Sequence, residues 1–366
     1  MRVLVAPDKY KGCLTAAEVA DAIGRGLISA GVEPVLLPLA DGGDGSVAAA
    51  VAAGFTEVPV TVTGADGRPN AAAIALDGQR AVVEVASTCG IAGLAGNLQP
   101  MAASSHGFGE AVVAAIEHGA TDILLALGGS ASTDGGTGLL TALGARLLDA
   151  DGNPLAAGGA ALGALESIDT SGLVDLGNVL MTVATDVDNP LLGELGAARV
   201  FGPQKGASPE QVAELERGLA HLVGILDAAG IAAQQGCGAA GGLGFACAWL
   251  GATRVQGADH FLDLLGFDQA VAGCNAVITG EGASDEQTLH GKLPARVAAR
   301  SAGRPVHLVV GLSNLSAAQA KQLGAASVTA LVDLTDGDPY ADPALSERLL
   351  ESAGATLGRA LADGKA

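Results

Sequence analysis

Four short segments of this chain combine glycine with aspartate, lysine or serine, and a fifth carries two aspartates without a glycine. Ala6-Pro7-Asp8-Lys9-Tyr10-Lys11-Gly12 comes first, and Asp41-Gly42-Gly43-Asp44-Gly45-Ser46 second. Gly128-Gly129-Ser130 begins a run that continues to Gly136, and Asp186-Val187-Asp188-Asn189-Pro190 follows later. The last runs from Gly280-Glu281-Gly282 through Asp285 to His290-Gly291-Lys292. Backbone N–H groups of glycine loops, especially ahead of a helix, cradle anionic oxygens. Lysine is a compact positive charge suited to phosphate. Paired carboxylates hold Mg²⁺ through one or two oxygens, and a further carboxylate can take the proton of an attacking hydroxyl. These are the parts of phosphoryl transfer. Each also has a plainer reading: Asp-Gly is a common turn pair, and an aspartate can cap a helix.

Better-known signatures are missing. Gly291-Lys292 is followed by Leu293, so no GxxxxGK[ST] loop exists, and there is no HRD or DFG set. A GxGxxG occurs at Gly236–Gly241, but no clear strand precedes it. It reads as a flexible approach to the next helix, and a dehydrogenase would rest on it alone. The six histidines show no metal-ligand spacing, and no Gly-x-Ser-x-Gly elbow is present.

The loops need elements to position them, and nearly all follow an expected strand. Val3–Ala6 reads as the first strand. A helix follows with Thr15 as N-cap and Glu18 closing a capping box, its apolar face being Val19, Ile23 and Leu27. Gly31 ends it, and Pro34–Leu39 is the next strand, so the chain opens as a βαβ unit with parallel strands. The alternating Glu57–Thr63, then Ala71–Leu76 and Val82–Ala86, are separated by Asp-Gly turns and suggest an antiparallel meander. Later strands are expected at Ile123–Leu127, Val179–Thr185, Ala276–Thr279, Val306–Val310 and Val328–Val332. One helix starts at Ser208-Pro209 with Gln211 at N3; the last starts near Asp342-Pro343.

The expected class is α/β: a flavodoxin-like parallel-sheet domain, residues 1–55 and 272–366, with a larger inserted α/β domain, 56–271. Loops beyond the carboxyl ends of strands are where open α/β sheets bind ligands. The 366 residues, 49 % hydrophobic, suffice for this, and the 2 % of aromatics require a core of small aliphatics. A net charge of −20 argues against a nucleic-acid surface. It also means an anionic substrate must be met by few cations: the lysines are Lys9, Lys11, Lys205, Lys292, Lys321 and Lys365. Five cysteines without a CxxC pair read as free thiols of a reducing compartment. With no signal peptide and no membrane span, a cytoplasmic location is expected.

Taken in order, APDKYKGCLTAAEVA, PLADGGDGS, LGGSASTDGGTGLLTALGARLLD, ATDVDNPL, VFGPQKGASPE, GAAGGLG and ITGEGASDEQTLHGK resemble the bacterial glycerate kinases of type 1 over essentially the whole chain. The resemblance implies ATP-dependent phosphorylation of D-glycerate with Mg²⁺, at the 2-hydroxyl, in a cleft between a flavodoxin-like domain and its insertion. It implies that Lys11 and Lys292 neutralise phosphate or carboxylate, with Lys9 adding charge where serine is common. Asp41 is the first choice of general base and Asp285 the second. Asp186 and Asp188 hold Mg²⁺ or orient the hydroxyl, Asp188 counting among the catalytic residues, and Glu281 is a further metal candidate. Gly42, Gly43, Gly128, Gly129, Ser130, Lys205, Gly282 and His290 are expected to contact substrate or nucleotide. The chain departs from the family pattern at Ala283-Ser284, where an arginine and an aliphatic residue are usual, and at Thr133 in place of asparagine. Loss of that arginine removes a bidentate anion contact. It leaves open a kinase of another small hydroxy acid, besides a non-catalytic ligand-binding protein, and the oligomeric state stays open.

Overall fold

The computed structural model describes residues 1–290 and 292–364, with the side chains of Gln287 and His290 outside the description. The expectation for His290 therefore lies outside the described residues. In chain order the first strands are β1 (Arg2–Val5), β2 (Glu33–Leu36), β3 (Thr56–Thr63), β4 (Pro69–Asp77), β5 (Arg80–Glu84) and β6 (Asp122–Ala126). Then come β7 (Arg146–Leu148), β8 (Ser167–Asp169), β9 (Leu180–Ala184), β10 (Thr253–Val255) and β11 (Ala276–Thr279). The last are β12 (Ala283–Ser284), β13 (Val306–Val310), β14 (Leu312–Ser313) and β15 (Ala325–Ala330). The chain divides into two compact units, one of residues 1–41, 48–53 and 258–366, the other of 42–47 and 54–257.

The first unit holds a five-stranded sheet in the order β15-β13-β11-β1-β2. Every pairing in it is parallel. Counted within the unit this is the order 2-1-3-4-5 of flavodoxin-like sheets, whose direction of winding reverses between the first and third strands. Here those are β1 and β11, both wholly apolar in their buried portions apart from Thr279 at the end of β11. Helix Ala16–Ser29 begins with the expected capping box: Thr15 Oγ1 accepts from Glu18 N–H, and Glu18 accepts from Thr15 N–H at 2.8 Å. It packs on helix Pro343–Ala362 so closely that a Cβ on Gly26 would lie 2.1 Å from the Glu351 carbonyl oxygen. The core of this unit includes Val5, Ile23, Leu27, Ile278, Val309 and Leu350, with Tyr10 buried among them.

The second unit holds a six-stranded sheet in the order β10-β9-β6-β5-β4-β3. The meander β3-β4-β5 is antiparallel as expected, and β5, β6, β9 and β10 then run parallel. Its core is mostly aliphatic, with Phe108 and Phe245 its aromatic members, and Trp249 packs against it. Helix Pro209–Ile225 carries the expected Ser208–Gln211 capping box.

Several short elements were not foreseen: the antiparallel pair β7–β8, the edge strand β10, and the parallel pair β12–β14. One expectation is corrected. The Gly236–Gly241 segment is not a flexible approach but a close-packed corner. A Cβ on Gly238 would lie 2.3 Å from the Pro190 carbonyl oxygen, and one on Gly241 would lie 2.0 Å from that of Ser132. Among the described residues no helix is long and apolar enough to cross a membrane. The five cysteines are free, and all but Cys13 are buried.

Candidate active site

In the first unit, the sheet's reversal puts the ends of β1 and β11 side by side. Asp8 N–H donates to the Gly280 carbonyl at 2.8 Å, which ties the two loops at their roots. Gly280 is required by packing: a Cβ there would lie 1.6 Å from the Val309 carbonyl oxygen. Gly282 passes over the first loop, with its Cβ position 3.3 Å from the Lys11 nitrogen, and its carbonyl accepts from the Tyr340 hydroxyl.

Two groups of charged side chains gather there. Asp8 is 8 % exposed and accepts from Lys9 N–H at 2.7 Å. The Lys9 ammonium lies 3.5 Å from Asp8 and 3.7 Å from Asp41. Burial, then the neighbouring Asp41 charge, raises the Asp8 carboxyl from its ordinary value to about 7. The Lys292 ammonium lies 3.6 Å from Glu281 and 3.8 Å from Asp285. Glu281 is buried and accepts from Thr288 Oγ1 at 2.7 Å; burial pushes its carboxyl up. The Glu281 charge also bears on Asp8, so the two groups feel one another. Lys11 is exposed beside them. At the departure from the family pattern, Ala283 is exposed, whereas Ser284 is buried and bonded to Ser313 Oγ at 3.2 Å.

In the second unit, the glycine loops meet backbone to backbone. Gly128 N–H donates to the Gly42 carbonyl at 3.2 Å, and a Cβ on Gly128 would lie 2.5 Å from Gly43 Cα. Gly42, at φ +89°, has its Cβ position 2.8 Å from the Ala184 carbonyl oxygen at the end of β9. Gly129 is also left-handed, at φ +84°. The far end of this loop is pinned by Asp134. Its buried carboxylate accepts from Ser105 N–H and Oγ–H, Gly136 N–H and Gly138 N–H. Lys205 is only 3 % exposed; its ammonium donates inward, to Ser130 Oγ at 3.0 Å and to the Ser132 carbonyl. Asp186 accepts from Gly257 N–H at 2.9 Å, and Asp188 pairs with Arg254 at 2.6 Å. Among the described residues no three His, Cys, Asp or Glu side chains are arranged to hold a metal ion.

The second unit offers glycine backbones for anionic oxygens; the first offers ammonium groups beside carboxylates, and in Asp8 a carboxyl raised to about 7. The last of these, Asp8, escapes the sequence reading, since its loop is visible there but its burial is not. Arg254 and Asp134 escape it too. Arg254 lies on a short edge strand, and Asp134 has the sequence surroundings of an ordinary turn aspartate.

The model of the glycerate kinase family matches residues 3–361. The chain is 42 % identical over 324 residues to a glycerate 2-kinase of Escherichia coli K12, covering 85 % of each chain. It is 41 % identical to a glycerate kinase of Bacillus subtilis 168, again over 85 % of each. A crystal structure described as a glycerate kinase 2 from Salmonella typhimurium LT2 superposes with a TM-score of 0.83 at 36 % identity, covering 100 % of this chain and 99 % of that one.

Proposed function

Because the chain belongs to the glycerate kinase family, a family of phosphotransferases, we propose that it transfers the γ-phosphoryl group of ATP to the 2-hydroxyl of D-glycerate. The observation that carries this reading is the meeting of Asp8–Lys9–Asp41 with Glu281–Asp285–Lys292 at the reversal point of a parallel sheet. The hydroxyl oxygen attacks the γ-phosphorus, the bond to the bridging β,γ-oxygen breaks, and ADP leaves. The hydroxyl proton goes to a carboxylate. Asp41 is that base in this reading: it is the more exposed partner of Lys9, and the proton it receives can be shared with Asp8. Asp285 is the second choice. Lys11 and Lys292 meet the glycerate carboxylate or the phosphates, and Gly42, Gly43, Gly128, Gly129 and Ser130 offer donors to anionic oxygens. The name of the E. coli relative, a glycerate 2-kinase, supports the 2-position.

Four carboxyl groups crowd around Lys9 and Lys292 in the first unit's cluster. An anionic nucleotide suits such a place when a cation accompanies it. Among the described residues there is no closed cage for one, so magnesium would come with the nucleotide phosphates. Bound there it would offset charge on the transferring group. Glu281 is the carboxylate of this unit that would approach it; in the other unit Asp186 remains a candidate by itself, and Asp188 is matched by Arg254. The unpaired cysteines support a reducing, cytoplasmic location. The exposed Ala283 favours a second reading with the same chemistry and another small hydroxy acid as acceptor.

The test is ADP release with Mg-ATP and a panel of small hydroxy acids, with phosphorus NMR on the product. Turnover on D-glycerate with a 2-phosphate signal supports the first reading, and turnover only on a relative supports the second. Asp41→Ala should lower kcat by about 10²–10⁴-fold with the fold intact. Near-normal turnover would remove Asp41 from the mechanism.

A further inference from the structure

Lysine is rarely buried without a carboxylate against it. Lys205 is such a case: it sits in the short turn Pro203–Lys205, and among the described residues its ammonium touches a hydroxyl and a carbonyl but no carboxylate. Burial lowers it from its ordinary value to about 8, and Asp134 is the charged group that opposes this. The thiol of Cys89, beneath the same loop, is pushed up to about 12 and stays neutral. Methionine would fill the space without the cost of desolvating a charge. The ammonium therefore has a use that its volume does not explain.

The hydrogen bond to Ser130 shows what that use is. A protonated lysine can only donate. Ser130 Oγ must accept from it, so the serine's own proton is free to point elsewhere. No other partner of that hydroxyl is found among the described residues. The Ser130 backbone is held as well, by a bridge to Gly90 and by Ala131 N–H donating to the Cys89 carbonyl at 3.0 Å. With its backbone and acceptor side fixed, the hydroxyl of this buried serine is a preorganised donor in the loop that Gly128 and Gly129 begin.

We propose that Lys205 is a positioning residue, whose buried ammonium occupies the acceptor side of the Ser130 hydroxyl and so keeps that hydroxyl's proton for an anionic oxygen of the substrates. This rests on the reading that the Gly128–Ser130 loop binds such an oxygen. A neutral Lys205 amine can accept from Ser130 and withdraw that donor. The effect on rate therefore follows the lysine's proton, although the lysine touches no substrate.

The experiment compares Ser130→Ala, Lys205→Met, Lys205→Arg and the Ser130→Ala/Lys205→Met double variant with the wild type. Turnover is followed from about pH 6.5 to 9.5, and the thermal midpoint of each variant reports its fold. Each single loss is expected to cut kcat by about 10–10³-fold. The double variant should lose little more than the worse single one, because both act on one donor. The wild-type rate should fall on the alkaline side near pH 8, and Ser130→Ala should lack that fall. Lys205→Arg, which keeps its proton, should retain part of the rate and lack the fall too. Additive losses, a wild-type rate in Ser130→Ala, or an alkaline fall that survives in Ser130→Ala would each overturn the proposal. If Lys205→Met does not fold, the pH profile of Ser130→Ala still decides, since that change removes one oxygen only. A wild-type chain that releases no ADP with any acceptor overturns the kinase reading and this proposal together; normal wild-type turnover with additive losses overturns this proposal alone.

Discussion

Asp8 carries a stability cost that depends on pH. Its carboxyl has a folded-state value of about 7 against an ordinary 3.8, because burial and Asp41 disfavour its charge. Between those values the folded chain holds a proton that the unfolded chain has released, so Asp8's contribution to stability falls as pH rises. Above about 7 the full cost is present. Asp8→Asn should therefore have a higher thermal midpoint than the wild type at about pH 8, with the gap shrinking toward about pH 5. The same midpoint difference at both pH values would remove the Asp8 proton from the account. Much of this chemistry is legible in residue types: Lys9, Asp41, Glu281, Asp285 and Lys292 stand out in the sequence, and the structure pairs Lys9 with Asp41 and Lys292 with Glu281 and Asp285. The burial of Asp8 and Lys205 is not legible. It depends on strands and loops distant in sequence, Gly280 and Val309 near the one and Ser130–Asp134 around the other.

At the scale of elements, local rules serve well where the signal is local. The capping boxes at Thr15 and Ser208 lie within four residues and form as expected. The antiparallel β3–β4–β5 follows from Asp-Gly turns and alternation. Strands β7, β8 and β10 are three residues each, too short to show a period, and gain their place only from partners. Packing between elements is equally silent in the sequence. Gly26 reads as a weak spot in a helix, yet its missing side chain lets helix Pro343–Ala362 approach. Gly26→Ala improves intrinsic helix propensity but must push the Glu351 carbonyl aside. It should destabilise the protein by about 1–3 kcal/mol in denaturant titration. A gain in stability would show that the helix pair can separate without cost.

At the scale of the whole molecule, each unit has its own sheet and its own core. The strand order of the first sheet is only an inference from βαβ repetition at the level of sequence, since one sequence does not state which strands are neighbours. The pairings of β1 with β2 and β11, of β11 with β13 and of β13 with β15 establish it. Two cores sharing one chain need not melt together. Calorimetry should give a van't Hoff enthalpy below the calorimetric enthalpy; equality of the two would mean the units unfold as one. Magnesium-nucleotide, if held as proposed, should raise the midpoint of at least the first unit by mass action.

The poverty in aromatic residues has an optical consequence. The single tryptophan, Trp249, packs on the core of the second unit, whereas both tyrosines, Tyr10 and Tyr340, belong to the first. Tryptophan emission is therefore blind to one half of the molecule, and tyrosine absorbance is blind to the other. Each half carries its own chromophore, and the two can be watched separately in an unmodified chain.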